Sequence, residues 1–214
     1  MKCDNRGSAR RGLAFEGALK NDMGNIEVCD QKSAVDFVTQ IGIGTKSKGV
    51  AIYGWSYGGY MAGMCLAKAP ETFTVAVLGA PVTSWDGYDS HYTERYMSTP
   101  QLNPIGYESS SLLHNTKYIK DDAQILIVHG LIDENVHWRH SARFIDKLVE
   151  SNKRYQLVVL PGERHSPRST STRLYIEHRV ADFLVANLKG GNGDGNNSSP
   201  EKMNAAGVNP NAKM

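Results

Sequence analysis

The sequence has no apolar run long enough to cross a bilayer: its longest, such as Val75 to Leu78 and Ile125 to Val128, are strand-sized. No transmembrane helix and no membrane partner are expected. An excess of one charge is also lacking. With 24 basic against 22 acidic residues the net charge is +2, which offers no basic field for nucleic acid. Cysteine is scarce: Cys3, Cys29 and Cys65 are an odd number at scattered spacing, with no C-x-x-C pair for metal or redox work. Reduced, structural thiols are the reading. No histidines cluster at metal-ligand spacing, so a metal hydrolase is not expected; no cofactor is expected either. The opening MKCDNRGSARRG is basic but carries no apolar stretch of a secretory signal, which points to a cytosolic setting. In that setting the glycosylation patterns at Asn196 and Asn197 have no meaning.

What remains is an ordinary soluble composition, 40% hydrophobic and 21% charged over 214 residues, enough for one domain with a sizeable core. Strand-like runs at Gly49 to Tyr53, Thr74 to Leu78, Ile125 to His129 and Gln156 to Leu160 alternate with helical patterns, the signature of an α/β class with a mostly parallel sheet covered on both faces. Helices are predicted at Asn25 to Gln40 with Ala34, Val38 and Ile41 on one face, and at His140 to Ser151 with Ala142, Ile145 and Leu148. A third is predicted at Thr172 to Lys189 with Leu174, His178, Ala181, Val185 and Leu188 sharing a face. Between Pro81 and Asp122 a polar and aromatic segment has no strong period, a length that hosts function or short helices. The domain is expected to span residues 1–189, followed by a disordered Gly/Asn-rich tail over 190–214.

One short stretch carries chemistry. In GWSYGGYMAG the hydroxyl of Ser56 stands between Gly54 and Gly58, just after the apolar run Val50 to Tyr53 and just before a small-residue helical stretch that Pro70 stops. A serine on a tight strand-to-helix turn is forced into a sparsely populated backbone conformation, and glycine on either side removes the collisions. The hydroxyl is then pushed out at the carboxyl edge of the sheet, with the amide of Tyr57 facing the same space. In a chain with 21 glycines the five-letter pattern alone carries little weight; its context carries more.

A serine hydroxyl needs a base within hydrogen-bond reach, and that base needs a carboxylate to orient it. The sequence supplies both in the chain order of this architecture. Asp133 follows the run ILIVHG, and His165 follows QLVVLPGE. All three residues fall just past the carboxyl ends of predicted strands, on one edge. His129 sits inside a strand end and reads as structural, and the remaining histidines lack the right placement.

GWSYGGY, APVTSWDGYDSHYTERYM, HGLIDENVHW and PGERHS together resemble the catalytic domain of the prolyl oligopeptidase superfamily, in its dipeptidyl peptidase IV branch and most nearly its cytosolic eight/nine-type members. The resemblance covers about Asp4 to Leu188 and implies an α/β-hydrolase fold. It implies Ser56 as nucleophile, His165 as general base and then acid, Asp133 as the orienting carboxylate, and the Tyr57 amide as an oxyanion donor. It also implies that Val82, Trp85, Tyr88, Tyr92 and Val136 form a pocket for a penultimate proline or alanine of a peptide substrate, with Asn135 contacting the substrate backbone. Aromatic faces suit a flat, rigid pyrrolidine. Family members carry a β-propeller that holds the substrate's free amino end, further strands, and a tyrosine that completes the oxyanion site. None of these lies in this sequence, so the strand ending at Tyr53 is expected to leave an apolar edge unpaired, and the chain alone to be aggregation-prone or partly unfolded, or to need a partner strand. Rival readings are an esterase or acylaminoacyl peptidase of the same fold, and a non-catalytic shortened isoform that pairs with full-length subunits; the protein partner expected for the chain is a second copy in a homodimer or a full-length relative.

Overall fold

The computed structural model describes residues 1–45, 47 and 49–188. The tail expected over 190–214 lies outside the described residues. Four strands, β1 (Val50–Trp55), β2 (Phe73–Gly79), β3 (Gln124–Gly130) and β4 (Gln156–Leu160), form one parallel sheet in the order β1-β2-β3-β4. All four coincide with the predicted runs. The Val-, Ile- and Leu-rich strands suit a sheet covered on both faces, and β2 and β3 are almost wholly buried.

Alternation along the strands divides the core. Ala76, Leu78, Ile125 and Ile127 face α3 (Tyr57–Lys68), which packs with α2 (Ile26–Gln40) and α6 (Leu112–Asn115); α4 (Ser90–Met97), α5 (Pro104–Ser109) and α7 (Arg139–Glu150) add Met97, Tyr107, Phe144 and Leu148 to the same core. Val75, Val77, Leu126 and Val128 face α8 (Thr170–Leu188) on the other side. The only other α-helix among the described residues is the single turn α1 (Leu13–Glu16). The long segment after β2 is thus built from short helices and turns, as its weak periodicity predicts.

The helices stand where expected, but the faces they bury differ. In α8 the sheet covers Ile176, Val180 and Phe183, joined by Leu188 of the expected face, while Leu174 and Val185 are about half exposed. The two sets are offset by two positions, about 200° around the helix. Both sides are apolar, so periodicity alone does not choose between them. In α2 the buried residues are Glu27, Val28 and Val35, and Ile41 lies beyond the last turn, exposed. In α7 the buried face turns by one residue onto His140, Ser141, Phe144 and Leu148.

Among the described residues β1 is an edge strand. Along its open side runs a groove of about 880 Å³ bordered by Asn5, Val35, Ile52, Tyr57, Met61 and Tyr96. Residues 1–12 pass nearby as turns and coil, and Arg6 is tied by its guanidinium to Asp30 on α2 at 2.5 Å.

Candidate active site

Ser56 directly follows β1 and stands at the N-cap position of α3 with φ 60° and ψ −118°, a left-handed conformation that costs a non-glycine residue of order 1–3 kcal/mol. The surroundings hold it there. Its amide donates to the Gly79 carbonyl at 2.8 Å, and its own carbonyl accepts from the Tyr60 amide at 3.0 Å. Of the two glycines expected to relieve the turn only Gly54 does so: a Cβ on Gly58 would meet nothing within 4 Å, and close approach falls instead on Gly54 and Gly59. A Cβ on Gly54 would lie 2.3 Å from the Gly58 backbone, and one on Gly59 would lie 2.5 Å from the Gly79 oxygen.

The Ser56 hydroxyl lies 2.9 Å from His165 Nε2, and His165 Nδ1 lies 2.8 Å from Asp133 Oδ2. The three side chains come from the turns after β1, β4 and β3, so parallel strands bring residues 109 positions apart into contact. His165 is further fixed through its backbone carbonyl, which accepts from Trp55 Nε1 at 2.8 Å. Asp133 is 4% exposed. Its Oδ1 accepts the amides of Asn135 and Val136, both at 2.9 Å. A second histidine approaches Oδ2: His129 Nε2 stands 3.2 Å away while bonding the Val136 carbonyl at 2.8 Å. Burial alone would raise the Asp133 carboxyl, but hydrogen bonds from His129, His165 and the Asn135 amide outweigh it and hold the group far below the usual carboxylate range. Asp133 is therefore an ionised acceptor, which fixes the proton of His165 on Nδ1 and leaves Nε2 free to accept from Ser56.

Tyr57 opens α3, so its amide is one of the donors that a helix start leaves without an intrahelical partner, at the positive end of the dipole. An anion at this point would meet a donor already in place.

The residues expected to form a proline pocket gather beside this turn. Trp85, in a 3₁₀ turn over Trp85–Gly87, stacks near Tyr92 at 6.1 Å and meets Tyr88 edge-on at 5.9 Å and Tyr57 at 5.6 Å. Val82, Trp85 and Val136 are buried, whereas Tyr88, Tyr92 and Asn135 border a cleft of about 630 Å³ that Glu134, His137 and Arg139 complete. The Tyr88 hydroxyl donates to Asn135 Oδ1 at 2.5 Å. His140 supports the turn from below: its Nδ1 accepts from the Thr83 amide and its Nε2 donates to the Gly87 carbonyl, each at 3.2 Å. Burial pushes its pKa down to about 4.

Two polar residues near the site escape sequence reasoning. His129 is buried on β3 as expected, yet it also touches Asp133; its place four positions before Asp133 was the available signal. Glu27 is entirely buried beneath Tyr57, and an acid in a first helical turn gives no sign of this. Among the described residues, no group of three or more His, Cys, Asp or Glu is gathered as a metal site.

A serine strained on a strand-to-helix turn, reached by a carboxylate-held histidine on a parallel sheet covered on both faces, defines an α/β-hydrolase. Residues 1–191 match the model of the prolyl oligopeptidase family. The mouse protein dipeptidyl peptidase 8 is 41% identical over 186 residues, 86% of this chain and 21% of its own length. A probable dipeptidyl-aminopeptidase B of Paracoccidioides brasiliensis is 36% identical over 87% of this chain and 20% of its own. The crystal structure of Porphyromonas gingivalis dipeptidyl peptidase 4 superposes with a TM-score of 0.82 at 35% identity, over 86% of this chain and 26% of that one. The chain belongs to the prolyl oligopeptidase family. It spans about a fifth of the length of the curated relatives it matches.

Proposed function

We propose that the chain carries the reacting groups of a serine dipeptidyl peptidase that cleaves X-Pro or X-Ala dipeptides from peptide amino termini. The observation that carries this reading is the continuous hydrogen-bonded line from Ser56 Oγ through His165 to Asp133. Ser56 attacks the scissile carbonyl as its proton passes to His165 Nε2, and Asp133 stabilises the imidazolium without taking the proton. The tetrahedral oxygen accepts from the Tyr57 amide. His165 then protonates the departing amine, and water, deprotonated by the same Nε2, releases the dipeptide from its ester with Ser56. Tyr88 and Tyr92 flank the proline ring and Asn135 holds the substrate backbone, which is supported by the cleft they border. The three free thiols fit a reducing, cytosolic compartment.

The test is release of chromophore from a Gly-Pro amide by the purified chain, with Ser56→Ala beside it. Serine-dependent turnover that prefers the Gly-Pro amide to a simple ester is expected. Equal turnover by Ser56→Ala would refute the reading, and preference for the ester would favour the esterase. A second reading, a non-catalytic chain that pairs with a full-length relative, is favoured by the open edge of β1. Co-purification with that relative and no turnover by the folded chain would select it.

A further inference from the structure

Among the described residues two acidic side chains are buried. Asp133 belongs to the site above; Glu27, with no exposed surface, has no part in it. Burying a carboxyl group is costly unless its hydrogen bonds are satisfied, so its partners indicate what it does. Glu27 stands in the first turn of α2. Its Oε2 accepts the Gly24 amide at 2.8 Å, and its Oε1 accepts the hydroxyl of Tyr57 at 2.5 Å. Tyr57 is the residue next to the strained nucleophile, and its amide is the oxyanion donor. Burial, then the Glu27 carboxyl, push the Tyr57 phenol far above its ordinary value, so it remains a donor.

One turn further on, the Tyr60 hydroxyl lies 3.1 Å from the Met23 carbonyl and 2.8 Å from that of Ser110. Both phenols at the start of α3 are thus held at their tips by the segment 23–27 or its neighbour. That segment must pass very close. Gly24 takes φ +79°, and a Cβ there would fall 2.0 Å from the Tyr60 oxygen. A strained conformation persists only where its surroundings over-determine it, and these contacts sit immediately after Ser56.

We infer that Glu27 is a positioning residue: by holding the Tyr57 hydroxyl it fixes the first turn of α3 and keeps the Ser56 hydroxyl and the Tyr57 amide in their reacting geometry. The inference rests on the peptidase reading. The rival account is that Glu27 only satisfies a buried phenol and stabilises the core.

The test is the second-order rate at which a fluorophosphonate labels Ser56, per folded molecule, in the full chain, Glu27→Gln, Tyr57→Phe and the double variant. Folded fraction is taken from circular dichroism under the same conditions. Each single change is expected to slow labelling about tenfold, since small misplacements of reacting groups cost this much or more. The double variant is expected to be no slower than the slower single, because both changes break one contact. Unchanged rates per folded molecule with a lowered melting temperature would overturn the inference, as would losses that multiply to about a hundredfold in the double variant. Tyr57→Phe removes one oxygen and keeps the ring, so its rate decides the matter even where Glu27→Gln does not fold. If the folded parent chain shows no labelling at Ser56, the peptidase reading itself fails and the inference falls with it.

Discussion

At its carboxyl end β1 delivers Ser56 into a rim where each side chain of the hydrogen-bonded line Ser56–His165–Asp133 is tied more than once, whereas along its outer edge the same strand pairs with no described residue. At the rim, Asp133 is met by two amides and two histidines, His165 by a carboxylate and an indole, and Ser56 by two backbone bonds. Along the edge, β1 is only half-buried, Tyr53 is 43% exposed, and the groove beside it is apolar in part. The rim is built from the turns that follow β1, β3 and β4. The edge is a property of the whole sheet, and an unpaired apolar strand invites association. The rim and the outer edge of β1 are separate places in the molecule, and each can be perturbed alone.

The largest effect is expected at the rim. Asp133→Asn keeps the shape but gives Oδ2's place to a group that no longer fixes the His165 proton on Nδ1, and turnover should fall about 10⁴-fold. A loss of tenfold or less would mean that the carboxylate does not orient the base.

Acid should come next. His140 has its folded pKa depressed to about 4 by burial, so the unfolded chain binds more protons than the folded one between about 6.5 and 4. Stability contributed by this residue is full above pH 6.5 and is lost as pH falls toward 4, by about 3 kcal/mol. Asp133, held low by its donors, continues the loss below the ordinary aspartate range. Urea unfolding against pH checks this. His140→Gln should flatten the upper part of the curve, and an unchanged slope would exclude His140 as its source.

Trp55→Phe removes the donor to the His165 carbonyl and should cost about 1 kcal/mol, seen as a lower urea midpoint with a few-fold loss of turnover. The smallest change in stability is expected at the edge. Tyr53→Lys, on a half-exposed position, should alter unfolding by less than about 0.5 kcal/mol yet reduce self-association of the chain in sedimentation. A parent chain that sediments as a monodisperse monomer with a cooperative thermal transition would contradict the account of the edge.

The sequence shows the rim better than the packing, for physical reasons. Ser56, Asp133 and His165 are legible because each lies just past an apolar run, and parallel strands place such positions on one edge. The four strands are legible because β-branched runs bounded by turn residues have few other uses. The buried face of α8 is not legible: Leu174, His178, Ala181 and Val185 make as good a helical stripe as Ile176, Val180 and Phe183, and only the sheet decides between them. Trp85, Tyr88 and Tyr92 read from spacing alone as packing or pocket alike, and the structure divides them, burying Trp85 and leaving the two tyrosines at the cleft. Glu27 is least legible of all, since burial of a helix-start acid depends on a phenol 30 residues away.

The most direct test of the rim is to treat the folded chain with a fluorophosphonate and map the adduct by peptide mass spectrometry. One adduct is expected, on the peptide containing Ser56, absent from Ser56→Ala and lost when the chain is unfolded before treatment. Labelling that survives in Ser56→Ala, or a folded chain that takes no adduct at Ser56, would contradict that expectation.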